Sequence, residues 1–193
     1  MKALCIYCGS ADGTNERYRN AARLLGRTLA RRGLRLIYGG GRTGLMGALA
    51  DGALEEGGEV IGVITKSMNT PELAHSNLTR LEVTATIHQR KARMYELADG
   101  YIALPGGYGT LDELFETLTW AQIGEHRKPV GLLDVDGYYD PLLAMLERAE
   151  TEGFIFSEHR QWLLCASDPE ALLKSMNDHR PAEDAVRRWM RQG

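Results

Sequence analysis

Apolar runs alternate with helical patterns along the chain, and this alternation restricts the fold more than any other feature. The apolar runs are continuous, which is typical of strands that are buried on both faces of a sheet. The segments between them repeat apolar residues at the spacing of one helix face, as Tyr18, Ala22, Leu25 and Leu29 do. The sequence therefore predicts an α/β fold in which helices cover both faces of a parallel sheet.

The same patterns place the individual elements. The predicted strands are residues 2–8, 34–40, 59–65, 81–83, 101–105, 129–134 and 162–166. The predicted helices are residues 14–32, 45–56 and 87–98, a segment after Thr110 and a segment from Pro141. Residues 66–80 carry no regular pattern. Residues 181–193 place Val186, Trp189 and Met190 on one helical face, which predicts a helical tail that docks on its own subunit or on a second copy.

Length and charge limit the classes of protein that the chain can represent. It has 193 residues without a Pro- or Ser-rich linker or an internal repeat, so residues 1–193 are expected to form one domain. Lys plus Arg is 23 and Asp plus Glu is 26, a net charge of −3, which predicts no general attraction to nucleic acid or to an anionic membrane. With no apolar span of about 20 residues and no export signal, we expect a cytoplasmic protein.

Three cysteines, an odd number, do not predict a disulfide framework. Cys5 and Cys8 form a CxxC pair, but on one strand their side chains point to opposite faces, about 10 Å apart along the strand. That separation is beyond the reach of a disulfide. We therefore predict buried thiols here, and no metal site and no cofactor elsewhere in the chain.

The run PGGYGTLDE, residues 105–113, follows a predicted strand and leads into a predicted helix. Its glycines let the backbone approach a ligand closely, and the free N–H groups of the first helical turn point at that ligand. The run ends in Glu113 rather than in the lysine of a triphosphate-binding loop, which favours a phosphate held near an acid or base. The spacing of Thr110 and Glu113 also fits a helix capping box, and both roles stay open.

A second glycine loop, GGGRTGLMG at residues 39–47, follows the second predicted strand. It satisfies GxGxxG, but the dinucleotide-binding form of that motif follows the first strand and has an acidic residue about 20 positions later. Here the next strand ends in Thr65 and Lys66. A mononucleotide or sugar phosphate therefore fits better than NAD, and a tight turn without a ligand is the alternative.

A third loop, Cys8-Gly9-Ser10, follows the first strand. In an open α/β sheet, ligands lie outside the carboxyl ends of the strands, so the three loops can converge on one crevice. The residues expected to contact a phosphate there are Gly9, Ser10, Gly39, Gly40, Gly41, Thr43 and Gly44.

Four basic residues, His88, Arg90, Lys91 and Arg93, lie in the first turns of a predicted helix. Cations at this end are unfavourable, because the N-terminus of a helix carries a partial positive charge. Their placement therefore favours a nearby anion, either Glu113 or a phosphate, and a solvated basic face is the alternative.

Three segments, IYGGGRTGLMGALADGA, HQRK and PGGYGTLDELFETLTWAQIG, resemble in order and spacing the LOG-type proteins, the cytokinin riboside 5'-monophosphate phosphoribohydrolases often labelled lysine decarboxylase-like. The resemblance covers roughly residues 2–175. It implies a Rossmann-like, doubly wound fold and a homodimer. It also implies cleavage of the N-glycosidic bond of an adenine-type nucleoside 5'-monophosphate, which gives free base and ribose 5-phosphate.

By this resemblance, Arg90 and Glu113 are the catalytic pair. The implied substrate contacts are Glu72, Lys91, Gly106, Gly107, Tyr108, Gly109, Thr110, Leu111, Asp112 and Thr119. Asp112 stands where many relatives carry glutamate, and Ile87 stands where methionine is usual. Both departures leave the catalytic pair intact.

The family label, the site residues and the fold also suggest three other functions. A pyridoxal phosphate decarboxylase needs a Schiff-base lysine, and no lysine is marked for that role, so we reject this activity. A broader nucleosidase that accepts plain AMP would use the same residues. A nucleotide or molybdenum cofactor carrier on the same fold is the alternative of another class, but a carrier has no need of the Glu113 carboxylate.

The residues themselves offer one candidate surface for the implied homodimer. Leu118, Trp120 and Ile123 are apolar positions on the helix after Glu113. They could form a subunit interface or ordinary core.

Overall fold

The computed structural model describes residues 1–180, and the strands within them form one seven-stranded sheet. The strands are β1 Ala3–Tyr7, β2 Arg35–Tyr38, β3 Val60–Thr65, β4 Arg80–Thr84, β5 Gly100–Ala103, β6 Val130–Leu133 and β7 Leu163–Ala166. The α-helices are α1 Glu16–Arg31, α2 Gly44–Glu55, α3 Ile87–Leu97, α4 Tyr108–Gln122, α5 Asp140–Thr151, α6 Ser157–Arg160 and α7 Pro169–Asp178. The predicted tail, residues 181–193, lies outside the described residues.

The order of the strands makes the sheet doubly wound. It reads β4-β3-β2-β1-β5-β6-β7, and every neighbouring pair is parallel. The chain runs outward from β1 to β4, returns to β5 beside β1, and then runs outward in the other direction. The predicted Rossmann-like fold is confirmed, with its switch point between β1 and β5. Sheets of this kind bind ligands outside the strand ends at that point.

Each face of the sheet carries its own buried core, because side chains alternate along every strand. On β1, Leu4 and Ile6 pack with α1, α2 and α7, whereas Cys5 and Tyr7 pack with α3, α4 and α5. All five residues of β1 are buried, as expected for the central strand of a sheet that is covered on both faces. No helix among the described residues is both long and apolar enough to cross a membrane.

The two thiols of the CxxC pair are separated by the sheet. Cys5 belongs to one core and Cys8, just beyond the end of β1, belongs to the other. Both are free and buried, and burial raises the pKa of each thiol well above its usual range. The prediction of buried thiols is confirmed.

The start of α4 differs from the sequence-based expectation. The helix begins at Tyr108, and Gly107 is the N-cap residue in an extended conformation. Thr110 therefore lies inside the helix, where its side chain is buried against Gly106. The capping box proposed for Thr110 and Glu113 is wrong, because the chain turns into the helix three residues earlier than that motif requires.

The structure contains two helices, α6 and α7, that the sequence analysis does not predict. A signal for α7 is present in the sequence: Asp168 accepts a hydrogen bond from the N–H of Ala171 (2.9 Å), and Pro169 occupies the first turn. Aspartate at the N-cap followed by proline is a typical helix start.

Helices α1 and α2 approach each other closely at Gly26. A Cβ atom there would overlap the carbonyl oxygen of Leu49 and crowd the amide nitrogen of Ala53. The backbone of α2 occupies the space that a side chain on α1 would need. Glycine at this position therefore sets the distance between the two helices.

We expect Gly26→Ala to destabilise the protein by about 1–3 kcal/mol, because forcing groups into a packed contact outweighs the gain of about 0.5–1 kcal/mol from the better helix former. Urea unfolding measures the free energy of unfolding. Leu24→Ala, at an exposed position of the same helix, is the control and should change it by no more than about 0.5 kcal/mol. Equal stability of Gly26→Ala and the wild type would contradict this account of the helix contact.

Candidate functional site

A cleft of about 410 Å³ opens at the switch point, between the loops that follow β1, β2 and β5 and the first turns of α3 and α4. The sequence-predicted convergence of the three loops on one crevice is therefore present. The predicted site residues that line the cleft are Gly9, Ser10, Gly39, Gly41, Thr43, Arg90, Gly107, Tyr108, Gly109, Thr110 and Glu113.

An ion pair lies at the inner end of the cleft. The Nη1 of Arg90 is 2.8 Å from the Oε1 of Glu113, and the two side chains are 11% and 12% exposed. The Nε–H of Arg90 also donates to the carbonyl oxygen of Val63 on β3 (2.9 Å). Arg90 is thus fixed to the sheet, while Glu113 is carried by α4.

The path of the Arg90 side chain depends on Gly39 at the end of β2. A Cβ atom at position 39 would overlap the Nη2 of Arg90. A side chain here would force the guanidinium to move from the position in which it contacts Glu113. The first glycine of the predicted loop therefore makes room for a cation, in addition to lining the cleft.

Burial raises the pKa of Glu113 above its ordinary value, and the charge and hydrogen bond of Arg90 oppose that rise. Asp112 adds to the rise and Lys91 opposes it. A carboxyl group with a raised pKa in a cleft is typical of an acid or base that acts near neutral pH.

The first turn of α4 presents to the cleft N–H groups that have no hydrogen-bond partner within residues 1–180. The first i→i−4 hydrogen bond of the helix runs from the N–H of Leu111 to the carbonyl oxygen of Gly107 (3.1 Å). The N–H groups of Tyr108, Gly109 and Thr110 precede it, at the positive end of the helix dipole. This turn has the geometry of an anion-binding site.

The glycine loop at residues 39–47 is engaged more with the protein itself. Its Arg42 N–H donates to the Leu73 carbonyl oxygen (2.8 Å), and its Met46 N–H donates to the Gly9 carbonyl oxygen (3.2 Å). An isolated antiparallel bridge joins Gly41 and Ala74. Much of this loop therefore serves to hold the cleft wall together.

Several predicted site residues lie outside the lining of the cleft: Glu72, Gly40, Gly44, Lys91, Gly106, Leu111, Asp112 and Thr119. The Nζ of Lys91 lies between Asp112 (3.0 Å) and Glu116 (2.9 Å) on α4. Burial works to lower the pKa of Lys91, but the hydrogen bonds that Lys91 donates to Glu116 and Asp112 outweigh it, and the pKa is raised. Two of the four basic residues, Arg90 and Lys91, thus pair with carboxylates of α4, whereas Arg93 pairs with Glu82 of β4 and Glu96 of α3.

The sequence analysis did not predict the apolar residues that line part of the cleft. Its lining includes Ile6, Cys8, Met46, Ile64, Met68, Leu73 and Ile87. Met68, Leu73 and Ile87 are exposed, although large apolar side chains are usually buried. The period-2 pattern of β1 could have placed Ile6 and Cys8 on one side, whereas Met68 and Leu73 lie in the stretch without a pattern.

Two tyrosines after β6 support the loop that follows β5, and the sequence did not mark them either. The Tyr139 O–H donates to the Leu104 carbonyl oxygen, and the Tyr138 O–H donates to the Gly106 carbonyl oxygen, both at 2.6 Å. They fix the backbone immediately before the first turn of α4. Within residues 1–180, no group of three or more His, Cys, Asp or Glu side chains is placed to hold a metal ion.

The raised pKa of Glu113 leads to a prediction about stability. The folded protein holds this proton more tightly than the unfolded chain does, so the carboxyl favours folding below its ordinary pKa of 4.5. That contribution is lost as the pH rises through the folded value. Glu113→Gln does not titrate and keeps an acceptor for Arg90. We therefore measure the free energy of unfolding of the variant minus that of the wild type by urea titration. We expect this difference to be higher at pH 8 than at pH 4.5.

Glu82 is the matched control with the opposite sign. A hydrogen bond from Arg93 lowers its pKa, so its contribution is present above its ordinary pKa of 4.5 and is lost as the pH falls. Relative to the wild type, Glu82→Gln should be less stable at pH 8 than at pH 4.5. The same trend for both variants would contradict the assignment for Glu113.

Comparison with known proteins places the chain in a family. A protein-family model described as "Possible lysine decarboxylase" matches residues 46–176. The chain is 44% identical over 189 residues to the cytokinin riboside 5'-monophosphate phosphoribohydrolase LOG of Oryza sativa subsp. japonica, covering 98% of this chain and 78% of that protein. It is 45% identical over 183 residues to the corresponding LOG4 enzyme of Arabidopsis thaliana, covering 95% and 85%.

A solved structure with the same fold is the molybdenum cofactor binding protein from Rippkaea orientalis. It matches with a TM-score of 0.70 at 25% identity, over 92% of this chain and 97% of that one. The identity to the two LOG enzymes is much higher and extends over nearly the whole chain. The chain therefore belongs to the LOG family, the group whose family model is described as "Possible lysine decarboxylase".

Proposed function

We propose that this protein hydrolyses the N-glycosidic bond of cytokinin riboside 5'-monophosphates and releases the free base and ribose 5-phosphate. The observation that carries the proposal is the buried ion pair of Arg90 and Glu113, which lies in the same cleft as the open first turn of α4. An anion site beside a carboxylate suits a substrate that carries a phosphate on the sugar to be cleaved.

The phosphate is placed on the N–H groups of Tyr108, Gly109 and Thr110, where the helix dipole favours an anion. Ser10 and Thr43 line the same cleft and contribute polar groups. The Thr43 hydroxyl donates to the Ser10 carbonyl oxygen (3.0 Å), which joins the loops after β1 and β2. The sugar then lies between this end of the cleft and Glu113.

In this mechanism, Glu113 acts on the sugar. The bond from C1' to the base breaks with oxocarbenium character at the sugar, as in other glycoside cleavages. The carboxylate stabilises that positive charge, orients the attacking water and accepts its proton. The base leaves with the electron pair of the broken bond and takes up one proton, so that one water is consumed overall. Arg90 holds the carboxylate in place and limits the rise of its pKa.

The apolar residues of the cleft favour a base with an apolar substituent over plain adenine. Met68, Leu73 and Ile87 offer exposed hydrocarbon surface beside Arg90 and Glu113. Covering this surface with a prenyl group contributes about 25 cal/mol per Å² of apolar area removed from water. The amino group of plain adenine gives no such contribution.

The cleft does not fit pyridoxal phosphate. No lysine is among the described residues that line it. Lys91, which is close in sequence to Arg90, is held between two carboxylates with a raised pKa, whereas a Schiff base forms from a neutral amine. The decarboxylase description of the family therefore does not extend to the chemistry that we propose here.

The first test incubates purified protein with AMP and with N6-isopentenyl AMP and follows free base and ribose 5-phosphate by chromatography. We expect faster release from the prenylated substrate.

Glu113→Gln should lose turnover by a factor of about 10² or more while still folding, because it keeps the shape of the side chain but cannot accept a proton.

The other outcomes separate the alternatives. Equal release from both substrates would make the protein a general purine 5'-monophosphate nucleosidase. Tight binding without release would support a carrier function, which the likeness to the Rippkaea orientalis protein makes the second candidate. Unimpaired turnover by Glu113→Gln would remove Glu113 from the mechanism.

We also propose that two copies pair through the outer face of α4. Two residues of this helix, Phe115 and Thr119, and its C-cap residue Ile123 recur at every fourth position and are all exposed. Tyr108, at the start of the helix, is 95% exposed. By contrast, Leu118, which the sequence offered as an interface position, packs against the core. Pairing along this face would cover the apolar side chains and bring Thr119 of one copy towards the other copy.

The dimer proposal predicts a mass in solution of twice the chain mass of 21.4 kDa, measured by light scattering after size exclusion. Phe115→Glu should shift the protein to monomer, because it places a charge in the apolar contact. Phe154→Glu is the control, since Phe154 is exposed in the segment between α5 and α6 and not on α4. A monomeric wild type, or loss of the dimer in the control as well, would contradict the assignment of this face.

A further inference from the structure

The turn of α4 that carries Glu113 is connected to the sheet through buried hydroxyl groups. The Thr117 Oγ1 donates to the carbonyl oxygen of Glu113 (2.8 Å), and the Tyr7 hydroxyl lies 3.0 Å from the same Oγ1. A threonine hydroxyl has one hydrogen to donate, and here Glu113 takes it. Tyr7 is therefore the donor, and a continuous chain of hydrogen bonds runs from β1 through Thr117 to the backbone of Glu113.

A second contact holds Thr117 from the other side. The Nε2 of His126 is 2.9 Å from the carbonyl oxygen of Thr117, and the N–H of Lys128 donates to the Nδ1 of His126 (3.0 Å). Because Nδ1 accepts, the ring proton is on Nε2, which donates to Thr117. Burial lowers the pKa of His126, which favours this neutral form.

Packing alone does not explain these polar groups. Tyr7, Thr117 and His126 are all buried, and the neighbouring positions on the same helix face are Leu114 and Ala121. Phenylalanine and valine would fill the places of Tyr7 and Thr117 without leaving polar atoms that need partners. Hydrogen bonds differ from apolar contacts in that they have direction, so they fix the rotation and the height of the helix above the sheet.

We propose that Tyr7 and Thr117 are positioning residues for Glu113. Arg90 is attached to β3 through the carbonyl oxygen of Val63, whereas Glu113 moves with α4. The separation of the two charged groups therefore depends on where α4 lies over the sheet. The Tyr7–Thr117 contact ties α4 to β1, the central strand, and so holds the carboxylate against Arg90 and towards the sugar. This inference rests on the proposed hydrolysis.

The position of α4 also affects the protonation of Glu113. The titratable groups that influence or surround its carboxyl are Arg90 and Lys91 of α3, Asp112 and Glu116 of α4, Tyr7 and Cys5 of β1, and Cys8 beyond it. Among them, Arg90 opposes the rise in the pKa of Glu113 most strongly. If the helix shifts and this pair loosens, the pKa of Glu113 rises further. A purely structural role for Tyr7 would leave that pKa unchanged.

The test measures hydrolysis of N6-isopentenyl AMP by two pairs of variants. One pair is Tyr7→Phe and its control Tyr101→Phe, and the other is Thr117→Val and its control Thr117→Ser. Tyr7→Phe and Thr117→Val remove the two hydroxyls, and we expect kcat to fall about 10-fold or more with KM nearly unchanged, because small misplacements of a catalytic group are costly. The acidic limb of the pH profile of kcat should move to higher pH. Thr117→Ser keeps the hydroxyl, so its kcat and the acidic limb of its pH profile should be those of the wild type.

Tyr101→Phe is the matched control for Tyr7→Phe. Tyr101 lies on the neighbouring strand β5, and its ring stacks on that of Tyr7 with 6.1 Å between the centroids. Its hydroxyl donates to the Tyr95 carbonyl oxygen, away from Glu113. It should therefore show the same loss of one buried hydroxyl without the shift in the pH profile. Equal effects of Tyr7→Phe and Tyr101→Phe on kcat and on the acidic limb would overturn the proposal.

A second measurement does not depend on turnover. A 13C NMR titration of glutamate-labelled protein, with Glu113→Gln used to assign the signal, follows the Glu113 carboxyl directly. We expect its pKa to be higher in Tyr7→Phe than in the wild type and in Tyr101→Phe. An unchanged pKa would overturn the positioning role even if hydrolysis is confirmed. A wild type that binds without cleaving would overturn the proposed hydrolysis, and this titration would still decide the role of Tyr7.

Discussion

The candidate site depends on one buried ion pair that joins two separately held parts of the fold. Removing a carboxylate and a guanidinium from water is costly, and such a pair is favourable only where further hydrogen bonds complete it. Here the Val63 carbonyl oxygen accepts from Arg90, and the start of α4 holds Glu113. The pair leaves the carboxyl with a raised pKa because the guanidinium offsets only part of the effect of burial. A group poised in this way can exchange a proton with a substrate.

The fold brings the pair together through its switch point. The chain leaves the end of β1 in one direction and the end of β5 in the other, which opens a crevice between them. The N–H of Gly9 donates to the Pro105 carbonyl oxygen (3.0 Å) across this crevice and joins the two loops at its base. A backbone contact therefore fixes the helix start that follows Pro105 relative to the central strand.

Much of this arrangement could be predicted from the sequence, because continuous apolar strands and glycine loops are local signals. The sheet, its two covered faces and the meeting of the three loops follow from them. The start of α4 could not be predicted in the same way, since Thr110 and Glu113 satisfy the spacing of a cap, but contact with Gly106 buries Thr110 inside the helix. The contact between Tyr7 and Thr117 spans 110 residues of sequence and has no periodic signature. Met68 and Leu73 lie in a segment without a pattern, so their place in the cleft depends on tertiary contacts alone.

The absence of a side chain at Gly39 gives a way to compare related chains by inspection. A Cβ atom at this position and the Arg90 guanidinium cannot occupy the same space. A relative that keeps the arginine and the glutamate but carries alanine or a larger residue after the second strand must place the end of the arginine side chain differently. The residue at this position therefore adds to the two charged residues as a criterion, and divergent sequences can be sorted by whether they keep all three.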